Sequence, residues 1–258
     1  MERAPDITII TASAGGGEWL GRTLAACQYS AAMAGLAWEG VVADADGAGA
    51  PAEVLAGFPR WRVARGRRAG LRGALARAVG SARGGAVVFC EAGLAPQAPF
   101  VGGLAEPLLA ADGPAAVSAR VVRWIDGAVE QRREGLRWVG GRLSRVVLDG
   151  PGPALVAPLR ASGYRAEALR GLGWVSRLFE PDAWGDAEWC LRAARSGRRV
   201  AHEPAALAVA HAPALLERRR GAAGAAGAVG RGPQGVGWGP AGGAARRAEN
   251  GPGRGRGR

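Results

Sequence analysis

The apolar and polar positions in the first part of the chain follow two different periods. Residues 6–13, DITIITAS, form a β-branched run that ends in small residues, which is typical of a strand. Residues 15–33 begin with a glycine turn and then place Trp19, Leu20 and Leu24 at helical spacing, which predicts a helix. A strand followed by a helix is the unit from which parallel α/β sheets are built.

The alternation of strand and helix patterns continues as far as residue 93. Strands are predicted at residues 38–47, 60–66 and 86–93, and a second helix is predicted at residues 69–85. This order predicts an α/β fold whose central sheet is mostly parallel and is flanked by helices. In such sheets, ligands bind at the carboxyl ends of the strands.

The second half of the chain has fewer regular patterns. Residues 115–150 mix strand-like pieces with many Arg, and residues 164–173 predict a short helix. Residues 187–196 predict a further helix, which Gly197 ends, and residues 199–201 predict the strand that follows it.

Composition divides the chain near residue 217. Of the 258 residues 48% are hydrophobic, which is enough for one α/β domain, and we place this domain at residues 1–216. The net charge of +12 comes entirely from Arg, because the chain contains no Lys. Residues 217–258 hold nine Arg and two Glu, a net charge of +7, and almost no large apolar residues, so we expect a disordered basic tail.

This basic tail predicts an attraction to polyanions. An anionic membrane surface near a lipid-linked acceptor is one such partner, which the tail would reach by peripheral contact. Nucleic acid is the alternative partner. Trp238 is the single aromatic residue of the tail, so stacking on bases in a specific complex is not expected.

Cysteine usage and hydropathy predict a cytoplasmic location. The three Cys residues are far apart and form no Cys-x-x-Cys spacing, which favours reduced thiols. Residues 1–10 lead directly into a strand pattern rather than into a signal peptide. No apolar run reaches the roughly 18 residues that cross a bilayer.

Two of the predicted strands end in acidic residues. Glu91 follows an apolar run, and a carboxylate at the buried end of a strand is costly unless it has a partner. It is either a ligand-binding group or a surface residue. Asp44 and Asp46 end the second strand, where Asp is favoured in turns and where a carboxylate can also accept hydrogen bonds from a nucleotide base or ribose.

A second acidic pair, Asp186 and Glu188, lies at the start of the helix predicted for residues 187–196. N-capping and the helix dipole explain both residues, with a contribution of about 1 kcal/mol. The alternative is a general base, because two carboxylates beside Trp184 and Trp189 would raise a pKa by repulsion and desolvation.

The glycines at 15–17 and the imidazole of His211 have ordinary explanations as well. A phosphate-binding loop needs a Lys after its last glycine, and the dinucleotide-binding pattern fails at Leu20, so a tight turn is favoured. His211 follows a short apolar run and is either a structural residue or a metal ligand.

Three stretches of the chain, taken in order, resemble a known family. They are EWLGRTL at residues 18–24, the segment 70–96 that ends in VVFCEAGLAP, and the segment 164–211 that contains WGDAEWCLRA and ends in His. Together they resemble the family 2 glycosyltransferases of the GT-A fold, from about Asp6 to Pro213. The resemblance implies an inverting, hexosyltransferase-like enzyme that moves a sugar from a nucleotide-activated donor to a hydroxyl of a glycan or a lipid-linked acceptor.

The resemblance also implies roles for individual side chains. The predicted catalytic residues are Asp186, which corresponds to the base that removes the proton of the acceptor hydroxyl, and Glu188 in the same acidic motif. In the family a divalent cation, Mg²⁺ or Mn²⁺, stabilises the departing nucleotide diphosphate. The implied donor-binding residues are Ser13, Asp44 and Glu91, the acceptor-binding residues are Trp174, Trp184 and Trp189, and the metal ligands are Glu91 and His211.

The chain departs from the family pattern at three places. Residues 12–15, Ala-Ser-Ala-Gly, replace Pro-Thr-Tyr-Asn and so remove side chains that hold the nucleobase. Gly93 replaces the second Asp of the metal motif, and Gly185 replaces the Glu before the catalytic Asp. One oxygen ligand with one imidazole makes a poor Mg²⁺ or Mn²⁺ site, so we expect weak metal dependence. A catalytically inactive protein of the same fold, which binds a nucleotide, a sugar or a partner protein, is the alternative.

Overall fold

A computed structural model describes residues 4–13, 17–45, 52–66, 70–139, 141–148, 156–174 and 184–211. The predicted basic tail, most of the glycine turn after the first strand, and Asp46 lie outside these residues.

Strands and helices alternate in the first part of the chain, as the hydrophobic pattern predicts. These elements are β1 (Ile7–Ser13), α1 (Gly17–Met33), β2 (Trp38–Asp44), α2 (Ala52–Ala56), β3 (Trp61–Arg65), α3 (Gly70–Gly80) and β4 (Ala86–Glu91). The four strands and the two long helices confirm the predictions, and α2 is a short helix that was not predicted.

The second part of the chain contains more strands than helices. Its elements are β5 (Leu94–Pro96), α4 (Phe100–Leu109), β6 (Ala116–Arg123), β7 (Val129–Gln131), β8 (Glu134–Val139), β9 (Arg142–Val147), β10 (Ala161–Arg165), α5 (Ala166–Leu172), α6 (Asp186–Arg195) and β11 (Val200–Ala210). The helix predicted at residues 187–196 is α6, which begins and ends one residue earlier than predicted. The strand predicted at 199–201 is the start of the much longer β11, whose register shifts between Glu203 and Leu207.

The central sheet is mixed, and the prediction of a mostly parallel sheet is wrong for its second half. Its order is β3-β2-β1-β4-β10-β6-β11-β5, with β7 paired to β6. Strands β1 to β4 are parallel to one another, but β10 is antiparallel to both β4 and β6, and β5 is antiparallel to β11. The first strands are parallel because helices connect them.

Two apolar layers cover the faces of the sheet. Alternate residues of β1 belong to different layers, because Ile7 and Ile9 pack in one cluster and Ile10 in the other. The first cluster includes Leu20 and Leu24 of α1, which are fully buried, as their helical spacing predicts. The three Cys side chains are buried and form no disulfide bonds. None of the described helices has the length and apolar character that a bilayer span requires.

Candidate functional site

The parallel register of the first strands aligns three polar residues at one edge of the sheet. Ser13 of β1 lies opposite Asp44 of β2, and Ala12 lies opposite Glu91 of β4. Ser13, Asp44 and Glu91 retain only 5%, 4% and 2% of their accessible surface. The three residues that the resemblance assigns to the donor side therefore lie at the carboxyl ends of neighbouring strands, where α/β sheets bind ligands, with Ser13 and Asp44 on one face of the sheet and Glu91 on the other.

The turn after β4 brings His211 close to Gly93. The backbone N–H of His211 donates to the carbonyl of Gly93 at 3.0 Å, and the N–H of Gly93 donates to Thr23 Oγ1 at 3.1 Å. Gly93 has a φ of 101°, a region that glycine enters without the steric cost of a Cβ. Asp has a Cβ and would be strained at this φ. This strain is a physical reason why Gly93 stands where the metal motif of the resembled family has its second Asp.

The imidazole of His211 lies between two indole rings. Its centroid is 6.0 Å from that of Trp19, with 16° between the planes, and 5.1 Å from that of Trp124, with 32° between the planes. His211 is exposed, and so is Trp124. Trp124 was not singled out by the sequence, since no local pattern indicates that it meets Trp19 and His211.

The carboxylate of Glu91 has a basic neighbour that was also missed. Arg160 Nε lies 3.6 Å from Glu91 Oε2, and Arg160 Nη1 lies 2.7 Å from Glu130 Oε2. Arg160 itself is buried. The chain contains 34 basic residues, all of them Arg, so nothing in the sequence distinguishes this one from the others.

Asp186 is the first residue of α6 and is almost fully buried. Its Oδ1 accepts a hydrogen bond from Arg145 Nη2 and another from the backbone N–H of Ala187 at 2.6 Å. The N–H of Leu159 also donates to this carboxylate. Burial raises the pKa of Asp186, and Arg145 and the two backbone groups offset only part of this rise. The N-cap of α6 is Gly185, so Asp186 is the first residue of the helix and not its N-cap.

The β8–β9 hairpin supplies the cation beside Asp186. Arg145 lies on β9, Nη1 is 3.5 Å from Glu134 Oε2 on β8, and the guanidinium carbon lies 5.6 Å from the centroid of the Trp184 ring. Asp186, Arg145 and Trp184 therefore form one cluster at the amino end of α6.

The other residues predicted around Asp186 have different surroundings. Glu188 forms a two-point ion pair with Arg192 one turn further along α6, at 2.6 and 3.0 Å. Trp189 is fully buried, and its indole N–H donates to the carbonyl of Gly173 at 3.0 Å.

Only one of the three predicted acceptor-binding tryptophans lies beside Asp186. Trp189 packs in the core. Trp174 is partly buried and stacks on Phe89 with the ring centroids 5.3 Å apart. Trp184 remains half-buried beside Asp186.

The side chains near Glu91 do not match the needs of a divalent cation. Mg²⁺ and Mn²⁺ take about six hard ligands, whereas the predicted ligands are one carboxylate that is paired with Arg160 and one imidazole held between indoles. Within the described ranges, no group of three His, Cys, Asp or Glu side chains could hold a metal. The residues present therefore do not fit a complete metal site.

Comparison with known proteins identifies the fold. No family model and no curated protein matches the chain. Among solved structures, it is similar to GalNAc-T7 with UDP, GalNAc and Mn²⁺, with a TM-score of 0.60 and 14% identity over 84% of this chain and 45% of that one. The mannosyltransferase PcManGT from Pyrobaculum calidifontis, in complex with GDP-Man and Mn²⁺, gives a TM-score of 0.54 and 16% identity over 82% and 58%. Residues 1–349 of S. aureus TarS give a TM-score of 0.53 and 11% identity over 81% of this chain and 59% of that one.

These similarities show that the chain has the GT-A fold of glycosyltransferases. At identities this low they show the fold alone. The chain also spans only about half of the length of these three structures.

Proposed function

We propose that this protein is an inverting glycosyltransferase that moves a sugar from a nucleotide-activated donor to an acceptor hydroxyl, with Asp186 as the general base. The observation that carries the proposal is the position of Ser13, Asp44 and Glu91 at the carboxyl ends of neighbouring strands in a GT-A fold. The UDP and GalNAc in one similar structure and the GDP-Man in another support a nucleotide-sugar donor.

The proposed reaction is a single displacement at the anomeric carbon of the donor sugar. The acceptor oxygen attacks this carbon while its proton passes to the carboxylate of Asp186. The bond between the sugar and the diphosphate breaks, and its electron pair leaves with the nucleoside diphosphate. Because the acceptor attacks opposite the leaving group, the configuration at the anomeric carbon inverts.

The surroundings of Asp186 suit the role of a base. A general base works best when its pKa lies near the working pH, and burial raises the pKa of Asp186 towards that range. The charge of Arg145 and its hydrogen bond to Asp186 limit this rise in pKa and so favour the ionised carboxylate. In the proposal Arg145 is a positioning residue, and Trp184 beside it is the surface on which an acceptor sugar stacks.

The donor side would use the carboxyl ends of β1, β2 and β4. Asp44 and Ser13 are proposed to bind the base or ribose, and Glu91 lies at the level where the diphosphate would be held. A divalent ion would supply charge stabilisation of the leaving group if one bound, with Glu91 and His211 as its nearest candidates. The identity of the acceptor stays open between a glycan and a lipid-linked sugar.

A catalytically inactive protein of the same fold is the second candidate. Two observations favour it: Gly93 has no ligand side chain, and the carboxylate of Glu188 is engaged by Arg192 rather than directed to a substrate. Such a protein would bind a nucleotide or a sugar without transferring it.

Hydrolysis of the donor tests the proposal, because it does not require the acceptor to be known. UDP-, GDP-, ADP- and dTDP-sugars are incubated with the full chain, with and without Mn²⁺, and the release of nucleoside diphosphate is measured beside direct donor binding. We expect one donor class to bind and to be hydrolysed slowly. Binding without hydrolysis or transfer would favour the inactive candidate, and the absence of binding to every donor would overturn the proposed function.

A further inference from the structure

The inference concerns Arg160, which lies directly across the sheet from Glu91. Strands β4 and β10 are antiparallel, with Ala161 opposite Cys90, and the N–H of Glu91 donates to the carbonyl of Arg160 at 2.9 Å. Side chains of directly opposite residues leave a sheet on the same face. Arg160 lies in the turn that leads into β10, and the hydrogen bond between its carbonyl and Glu91 holds the two residues side by side.

The guanidinium of Arg160 has unused hydrogen-bonding capacity. Arg160 is 7% exposed, its Nη1 contacts Glu130 at 2.7 Å, and its Nε lies 3.6 Å from Glu91. Its Nη2 is buried and has no hydrogen-bond partner among the residues that the structure describes. A buried donor without a partner is costly, and a ligand oxygen that reached it would remove this cost.

The position of Arg160 also disfavours a metal ion on Glu91. A Mg²⁺ ion binds a carboxylate oxygen at about 2.1 Å, so an ion on Glu91 would lie beside the guanidinium and would be repelled by its charge. The second acid that would offset this repulsion is replaced by Gly93, whose φ of 101° favours glycine. The site therefore contains one permanent cation and an incomplete set of metal ligands.

We propose that Arg160, rather than a divalent ion, is the cation that binds the diphosphate of the donor, with Nη2 donating to a phosphate oxygen. This inference rests on the proposed function. The planar guanidinium matches the geometry of phosphate oxygens. When the bond to the sugar breaks, the electron pair moves onto the diphosphate oxygen, and Arg160 stabilises the added charge.

Glu130 competes with the diphosphate for the same guanidinium. Its carboxylate holds Nη1 and is also 3.9 Å from Arg123 Nε, so removal of its charge would leave Arg160 more available to a phosphate. This arrangement predicts opposite effects for two neighbouring substitutions. Arg160→Gln should weaken binding of the diphosphate, and Glu130→Gln should strengthen it, whereas loss of folding would weaken binding in both.

Binding of UDP, GDP, ADP and dTDP to the full chain in excess chelator tests the inference by calorimetry. We expect one of them to bind, and we expect added Mn²⁺ to tighten binding less than threefold. Arg160→Gln should weaken binding at least tenfold and Arg160→Lys by less, while Glu130→Gln should tighten it severalfold. Arg199→Gln is the matched control, because Arg199 bonds the carbonyl of Asp112 and lies away from the site.

Three results would overturn the inference, and they differ in whether the proposed function survives. If chelator abolishes binding and micromolar Mn²⁺ restores it, a metal holds the diphosphate, so the role of Arg160 is wrong and the proposed function survives. If no nucleoside diphosphate binds with or without Mn²⁺, the inference and the proposed function fail together. An Arg160→Gln protein that is folded and binds as well as the wild type would also exclude the role of Arg160.

Discussion

Arg145 donates a hydrogen bond to the carboxylate of Asp186, which joins the β8–β9 hairpin to the first turn of α6. The two residues are 41 positions apart, and the pair is shielded from water on the Asp186 side. A buried carboxylate with a charged partner is stable as an anion, whereas the same carboxylate alone would hold its proton to higher pH. The hairpin therefore controls the protonation of the residue that we propose as the base.

The first prediction concerns Asp186→Asn. An amide can accept the hydrogen bonds from Arg145 and Ala187 but cannot take a proton from the acceptor. We expect a folded protein that binds the donor normally and transfers the sugar about 10²–10⁴ times more slowly. Stability, donor affinity and transfer rate are measured on the same preparation.

Asp186→Ala is the companion variant, since it removes the acceptor of the Arg145 bond and leaves Arg145 with the carboxylate of Glu134 at 3.5 Å. It should lose activity, and its free energy of unfolding should fall by about 1–3 kcal/mol. A stable Asp186→Asn protein with the transfer rate of the wild type would remove Asp186 from the mechanism.

The second prediction concerns the pH profile of Arg145→Met. The charge of Arg145 lowers the pKa of Asp186 against the larger effect of burial, so its removal raises that pKa further. The base must be ionised to act, and the acidic limb of kcat/KM should therefore move to higher pH. Arg145→Lys keeps the charge and should leave the limb near its original position. If the limb did not move in a folded Arg145→Met protein, Asp186 would not be the group that titrates.

The third prediction separates two tryptophans that flank the same helix turn. Trp189 is fully buried and bonded to the carbonyl of Gly173, so Trp189→Ala should reduce the free energy of unfolding by about 3–5 kcal/mol. Trp184 is half-buried, so Trp184→Ala should cost much less stability and should raise the KM for the acceptor. Urea denaturation and acceptor titration of both variants measure these effects. Equal losses of stability would show that Trp184 is a packing residue like Trp189.

The fourth prediction concerns the stability of the protein in acid. The buried Glu39 carboxylate accepts hydrogen bonds from Thr8 Oγ1 and from the backbone N–H and Nε of Arg83, each at 2.8 Å. Burial alone would raise the pKa of Glu39, but these bonds and the charge of Arg62 bring it below its ordinary value. Its contribution to stability is therefore present above the unfolded pKa of about 4.3 and is lost as the pH falls through the lower folded pKa.

Glu39→Gln should accordingly lose about 1–3 kcal/mol at neutral pH and should show a shallower loss of stability in acid. Glu167→Gln is the control, because Glu167 is exposed and its contact with Arg198 is long, at 3.8 Å. Denaturant unfolding at several pH values measures both variants. An unchanged acid slope in Glu39→Gln would mean that other groups determine the loss of stability in acid.

The alternating first part of the chain could be predicted because its signals are local. The apolar run of β1, the helical spacing of α1 and the carboxylates that end β2 and β4 are all properties of neighbouring residues. Parallel pairing of β1 with β2 and β4 then aligns Ser13, Asp44 and Glu91 at one edge. For these elements, the period of the hydrophobic pattern and the connecting helices were sufficient.

The tertiary structure alone decided the direction of the later strands and the partners of the carboxylates. The antiparallel insertion of β10 between β4 and β6 places Arg160 opposite Glu91, and the β8–β9 hairpin places Arg145 on Asp186. The sequence does not indicate that Trp189 is a core residue, because its burial depends on how α6 packs. These contacts join residues far apart in the chain, and their free energy depends on burial and on long-range strand pairing. No local period in a chain with so many similar Arg residues encodes which of them lies beside which carboxylate.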